Sequence, residues 1–125
     1  MPPLPAGTSG IVADLLADTA VFVDHLRGGR GFDPQDHRVH YSVITRAELL
    51  AGSTATDAVD TLLRPFREIR VDRPIAERAG RIRREAGVRL PDALIAATAI
   101  EEGLTLLTRN RKDFTRIRGL RLRTP

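Results

Sequence analysis

Four acidic residues, Asp18, Glu48, Asp92 and Asp113, each stand next to a segment that reads as a strand or the start of a helix. Asp18 directly follows the apolar run Leu15-Leu16-Ala17, and Glu48 lies in the helical stretch after the β-branched run ending at Val43. Asp92 follows Pro91 at the head of a small-residue helix, and Asn110 and Asp113 follow Leu104 to Leu107. Carboxylates gathered at one spot raise one another's pKa and oppose folding unless a cation neutralises them. An oxygen-only donor set favours a hard ion, Mg²⁺ with Mn²⁺ as the alternative. Such an ion acidifies a bound water, orients it for in-line attack and neutralises charge on a phosphate, which is what phosphodiester hydrolysis needs. Each acid also has an ordinary explanation. Asp18 could be a helix cap, Glu48 the third member of a capping box begun by Thr45, and Asp92 a response to a helix dipole. Asn110 and Asp113 could be turn residues. Their shared placement is what these separate explanations leave unexplained.

The elements that would position these residues follow from apolar periodicity. A buried strand runs from Ile11 to Asp18, and Thr19 can cap a short helix closed by Gly28-Gly29. A loop over Gly31 to Asp36 precedes a second strand, Val39 to Val43. A helix capped by Thr45 and stopped by Gly52 is followed by another from Thr56 to Phe66. A third strand is expected over Glu68 to Val71, then a charged helix from Pro74 to Gly87 with Ile75, Ala79, Ile82 and Ala86 as its apolar stripe. Asp92 to Glu102 forms a helix closed by Gly103, Leu104 to Thr108 a buried strand and Leu120 to Leu122 a last one. Strands alternating with helices predict an α/β fold, a central parallel sheet of four to five strands with helices on both faces. Ligands of such sheets bind just beyond the carboxyl ends of the strands. One domain over 11–125 is expected, preceded by a loose tail over 1–10.

Composition narrows the chemistry. At 125 residues, 42% apolar and 29% charged, the chain has the make-up of one globular domain. It has no cysteine, which excludes disulfides, thiol nucleophiles and cysteine-ligated metals. No apolar run is long enough to span a bilayer and no signal peptide is visible, so a cytoplasmic location is expected. The net charge of +4 comes from arginine, with Lys112 the lone lysine, and favours polyanions. His25, His37 and His40 lack ligand-like spacing. A phosphotransfer protein on a similar sheet needs an acidic pair by the first strand, whereas Asp18 stands between Ala17 and Thr19.

Four blocks resemble those of the PIN-domain endoribonucleases, and within them the VapC-type toxins of bacterial toxin–antitoxin pairs. They are Leu15-Leu16-Ala17-Asp18-Thr19, Ser42-Val43-Ile44-Thr45-Arg46-Ala47-Glu48-Leu49, Leu90-Pro91-Asp92-Ala93-Leu94-Ile95-Ala96 and Leu107-Thr108-Arg109-Asn110-Arg111-Lys112-Asp113-Phe114. The likeness runs from about Asp14 to Leu122, with Asn110 where many relatives carry an acid. It implies a Mg²⁺ site held by Asp18, Glu48, Asp92 and Asp113, cutting RNA to a 5′-phosphate and a 3′-hydroxyl. Asp18 and Asp92 would be the main ligands, Asp113 would complete the set, and Glu48 would position the attacking water or hold a second ion. Thr19 and Thr108 would bond metal waters, and Arg46, Arg109 and Asn110 are candidates for the substrate. The resemblance also implies a small cognate antitoxin, a homodimer or toxin–antitoxin hetero-oligomer, and inhibition of translation and growth until the antitoxin binds.

Overall fold

The structure, a computed structural model, describes residues 13–28, 34 and 37–125. The tail expected over 1–10, the Ile11-Val12 start of the first strand, Gly29 and most of the loop from Gly31 to Asp36 lie outside them. The described elements run β1 (Asp14–Ala17), α1 (Thr19–Leu26), β2 (Arg38–Ser42), α2 (Val43–Ala51), α3 (Thr56–Leu63), β3 (Arg67–Ile69), α4 (Arg73–Ala86), α5 (Leu90–Glu101), β4 (Thr105–Leu107), α6 (Arg111–Phe114) and β5 (Leu122–Arg123).

All five strands pair in parallel, in the order β3-β2-β1-β4-β5. Successive side chains of a strand point to opposite faces, and β1 divides accordingly between two cores. Leu15 and Ala17 pack with Phe22, Val39, Tyr41, Leu49, Val59, Leu63 and Leu107, under α1 to α3. Leu16 packs with Ile75, Ala79, Ile95, Leu106 and Phe114, under α4 and α5. Leu16 has no exposed surface, and trimming it to alanine would cost about 2–5 kcal/mol. The fold is therefore the expected α/β sandwich, with five strands and helices on both faces.

The helix ends show why the chain turns where it does. Asp72 Oδ1 accepts from Ile75 N at 3.1 Å, Pro74 fits the first turn, and Gly87 closes α4 at φ +70°, a conformation that favours glycine. Ala93, Ala96, Ala97 and Ala99 are buried, and their small size lets α5 lie close between α4 and the sheet. Several boundaries differ from the sequence expectation: β2 spans Arg38–Ser42, α3 ends at Leu63 and β5 is Leu122–Arg123. The third strand is Arg67–Ile69, because pairing with His40 to Ser42 fixes its register. The stretch around Asp113, expected as loop, contains the short helix α6, whose Phe114 is buried and anchors it to the core. Among the described residues, no helix is long and apolar enough to cross a membrane.

Candidate active site

The strand order sets the place. The chain runs outward from β1 through β2 to β3 on one side and through β4 to β5 on the other, so the order reverses between β1 and β4. At such a switch point the loops leave in opposite directions and open a crevice at the carboxyl edge. Ala17 lies opposite Leu107 in the register, which brings Asp18 and Thr108 side by side at the mouth of that crevice. Asp18 N donates to Leu107 O at 2.9 Å and fixes the main chain there. The Thr108 hydroxyl donates to Asp18 Oδ2 at 2.9 Å, and Asn110 N donates to Thr108 Oγ1 at 3.0 Å. Asp18 holds the backbone position of an N-cap for α1, yet its carboxylate makes no capping bond. The cap role expected of Thr19 does not hold either, since Thr19 is the first residue of the helix.

The second wall comes from α2. Its cap is Ser42, whose Oγ accepts from Ile44 N at 3.0 Å, and not Thr45 as the sequence pattern suggested. Thr45 is fully buried and its hydroxyl meets Thr19 Oγ1 at 2.8 Å. Thr19 Oγ1 donates to Glu48 Oε1 at 2.8 Å. Glu48 is thus no capping-box residue; a threonine on the neighbouring helix α1 turns its carboxylate. Thr19, expected at a metal water, is engaged by Glu48 and Thr45. The third wall is the first turn of α5, where Asp92 lies half-buried among helix N–H groups that favour negative charge.

These acids act on one another. Burial pushes the Asp18 carboxyl up to about 6; the Thr108 bond opposes the rise, and Asp92 and Glu48 add to it. Asp92 is raised first by burial, then by Glu48, with Arg89 pulling it down and Asp113 pushing it up. The structure therefore gathers Asp18, Glu48 and Asp92 as a mutually repelling trio. Asp113, exposed in α6, bears on Asp92 from the rim. Among the described residues, no arginine or lysine forms an ion pair with any of the four. Nor does any group of three or more histidine, aspartate or glutamate side chains stand close enough to grip a metal directly. Among the described residues, the four carboxylates that the resemblance names as the metal site therefore do not stand close enough around one point for all to ligate an ion directly. An all-oxygen set with excess negative charge still fits Mg²⁺, which keeps several of its waters and can be held partly through them.

The arginines divide. Arg46, a candidate for substrate, is committed elsewhere: Nε donates to Glu68 Oε1 and Nη1 to Asp60 Oδ1, both at 2.7 Å, and Nη2 to Tyr41 Oη at 3.0 Å. A guanidinium between two carboxylates is a brace joining α2, α3 and β3, which corrects the phosphate role. Arg109 is half-buried just past β4, with Nε 2.8 Å from Asp24 Oδ2 of α1. Asn110 is exposed beside it. Sequence reasoning missed Thr45 as a site-wall residue, Asp24 and Arg89. Position after a strand could have flagged Thr45, and a place three residues before Asp92 could have flagged Arg89, whereas the pairing of Asp24 with Arg109 spans most of the chain and leaves no local signal.

The PIN domain family model matches residues 15–120. A chain of a toxin–antitoxin complex from Klebsiella pneumoniae is 34% identical, with a TM-score of 0.73 covering 86% of this chain and 95% of that one. A chain of VapBC-5 from Mycobacterium tuberculosis is 27% identical at TM-score 0.62, covering 91% and 98%. A chain of VapBC2 from Rickettsia felis, bound to a promoter DNA fragment, shares the fold at 24% identity and TM-score 0.75, covering 90% and 98%. A search of curated protein sequences found no match. The family match spans all four acidic positions, and the chain belongs to the PIN-domain family, in the VapC-type form that its four sequence blocks resemble.

Proposed function

We propose that this chain is a divalent-metal-dependent endoribonuclease, the toxin of a toxin–antitoxin pair. The observation that carries the reading is electrostatic. Asp18, Glu48 and Asp92 repel one another at the switch point with no ion-paired arginine or lysine among the described residues, in a chain that has 20 lysines and arginines. Charges left that way call for a cation from outside the chain.

Asp18 and Asp92 would be the main ligands for Mg²⁺ or Mn²⁺, with Glu48 and Asp113 completing the set directly or through water. When bound, such an ion supplies an acidified water and neutralises charge on the phosphate. The chain's own residues would do the rest. Thr108 holds Oδ2 of Asp18 and fixes the carboxylate at the end of β1. Glu48, an acceptor held by Thr19, would orient the attacking water. Arg109 and Asn110, on the loop past β4, would hold the scissile phosphate and its neighbour. The chain has four phenylalanines, one tyrosine and no tryptophan, so recognition would rest on phosphate contacts and hydrogen bonds more than on stacking. The products would be a 5′-phosphate and a 3′-hydroxyl.

The likeness to chains from toxin–antitoxin complexes supports a small cognate antitoxin as partner, in a hetero-oligomer or with the toxin as a homodimer. Translation and growth would then stop when the chain acts without its antitoxin. A single nuclease domain over 11–125 working in the cytoplasm fits this reading. The test is cleavage of total RNA with Mg²⁺ or Mn²⁺, with chelator, and by Asp92→Asn. Discrete products that need the metal and vanish in the variant are expected. Identical behaviour of wild type and variant would remove the acidic crevice as the catalytic site.

A further inference from the structure

Two threonines are fully buried within helices, and they satisfy their hydroxyls in different ways. Thr98 in α5 donates to Leu94 O at 2.7 Å, the local solution open to a helical threonine. Thr45, in the first turn of α2, reaches across 26 residues to Thr19 Oγ1 at 2.8 Å. Thr19 in turn donates to Glu48 Oε1 at 2.8 Å. A hydroxyl carries one proton, so with that of Thr19 on Glu48 the contact between the threonines has Thr45 as donor. The hydrogen bonds then run one way, from Thr45 to Thr19 to Glu48, and end on a group that can only accept.

We infer that Thr45 is a positioning residue for Glu48. Its hydroxyl fixes the rotor of Thr19, and Thr19 holds the Glu48 carboxylate toward the crevice. Thr45 and Glu48 are three residues apart on α2 and share a face, while Thr19 directly follows Asp18. The relay therefore ties the helix that carries Glu48 to the residue beside Asp18. It sets the spacing of two carboxylates across the crevice from a side chain that touches neither solvent nor substrate. The kinetic consequence of this role rests on the nuclease reading above; the structural consequence does not.

The experiment pairs crystallography with kinetics on Thr45→Val, Thr45→Ser, Glu48→Gln and the Thr45→Val/Glu48→Gln double variant. In crystals of the RNA-free chain, Thr45→Val is expected to release Glu48 from Thr19 into more than one rotamer. Thr45→Ser, which keeps the hydroxyl, retains the wild-type bond. A Glu48–Thr19 bond unchanged in Thr45→Val overturns the inference. On a mixed-sequence RNA oligonucleotide with Mn²⁺, Thr45→Val lowers kcat about fivefold at constant KM, and Thr45→Ser restores it. In the Glu48→Gln background the same valine changes the rate little further. A full fivefold loss there shows that Thr45 acts through the fold at large and overturns the inference. A wild type that cuts no RNA under any metal removes the nuclease reading, and the crystallographic arm still decides what Thr45 holds.

Discussion

Asp14 and Asp18 sit at opposite ends of the same short strand and live in opposite electrostatic worlds. At the amino end, Asp14 accepts from Arg38 Nε at 2.6 Å and Nη2 at 3.1 Å, and that fork holds its carboxyl below the usual range. At the carboxyl end, burial, with Asp92 and Glu48 adding to it, lifts Asp18 to about 6 against the Thr108 hydroxyl and the Thr19 main chain. A carboxylate that only maintains the fold is matched by a cation of the chain, or left in water. Asp18 has neither, and a site that holds charge unmatched is a site for a ligand of opposite charge.

The largest effects should come from breaking that contrast in the crevice. Asp18→Asn and Asp92→Asn are expected to lower metal-dependent RNA cleavage by about 10³-fold or more, since each removes a charge that the metal and the transition state need. Asp14→Asn, at the other end of the strand, should leave the rate within about twofold. Gel assays with equal protein and metal read all three. Comparable losses at Asp14 and Asp18 would sink the distinction between the two ends.

Stability against pH sharpens it next. In an unfolded chain Asp18 titrates near 3.8, and in the folded chain near 6. Between those values the folded state holds the extra proton, so stability falls as pH rises and stays low above 6. In chelator, Asp18→Asn should therefore be more stable than wild type at pH 8, by up to about 3 kcal/mol, and the difference should close by about pH 4. Asp14 has the opposite sign: its contribution is present above its ordinary value and lost as pH falls below that value through the lower one of the folded state. Denaturant melts of the two variants across pH separate these cases. Added Mn²⁺ at ~100 times its Kd should stabilise the wild type by about 2.7 kcal/mol at pH 8, and Asp18→Asn far less.

The two ends also differ in how much of them was legible in the sequence. Asp18 announces itself because a charge directly after Leu15-Leu16-Ala17 has to end a buried strand. Asp92 follows a proline that opens a helix, and Gly87 and Gly103 mark the ends of α4 and the α5 segment. A parallel sheet and its carboxyl edge follow from strands alternating with helices, whereas the order of the strands within it does not. What local pattern hid was partnership. Thr45 and Glu48 satisfy a capping-box spacing, yet β2 ends at Ser42 and α2 begins at once, which puts the cap three residues upstream. The bonds of Thr19 to Thr45 and Glu48 span 26 and 29 residues, and that of Thr108 to Asp18 spans 90. Distances of that kind are set by the assembled sheet, so a window of sequence carries no trace of them. The same blindness made Arg46 look like a phosphate ligand, because it stands two residues before Glu48 and its two carboxylate partners lie 14 and 22 residues away.

Arg46 gives the smallest and most discriminating effect. It is about a third exposed, as is Glu68, and Asp60 is more so, which places the brace in the range of partly screened surface pairs. Arg46→Met keeps an apolar side chain of similar length and removes the two ion pairs, the bond to Tyr41 Oη and the guanidinium whose Cζ lies 5.9 Å from the Tyr41 ring centroid. The expected loss is about 1 kcal/mol of stability, measured by urea unfolding at low salt and shrinking as salt is added. Cleavage should stay within about twofold, with KM for RNA unchanged, because the guanidinium faces Asp60 and Glu68 and not the crevice. A KM raised severalfold with stability intact would return Arg46 to the phosphate. It would also mean that Asp60 and Glu68 give up their partner when RNA arrives, so that the brace and the crevice work as one surface.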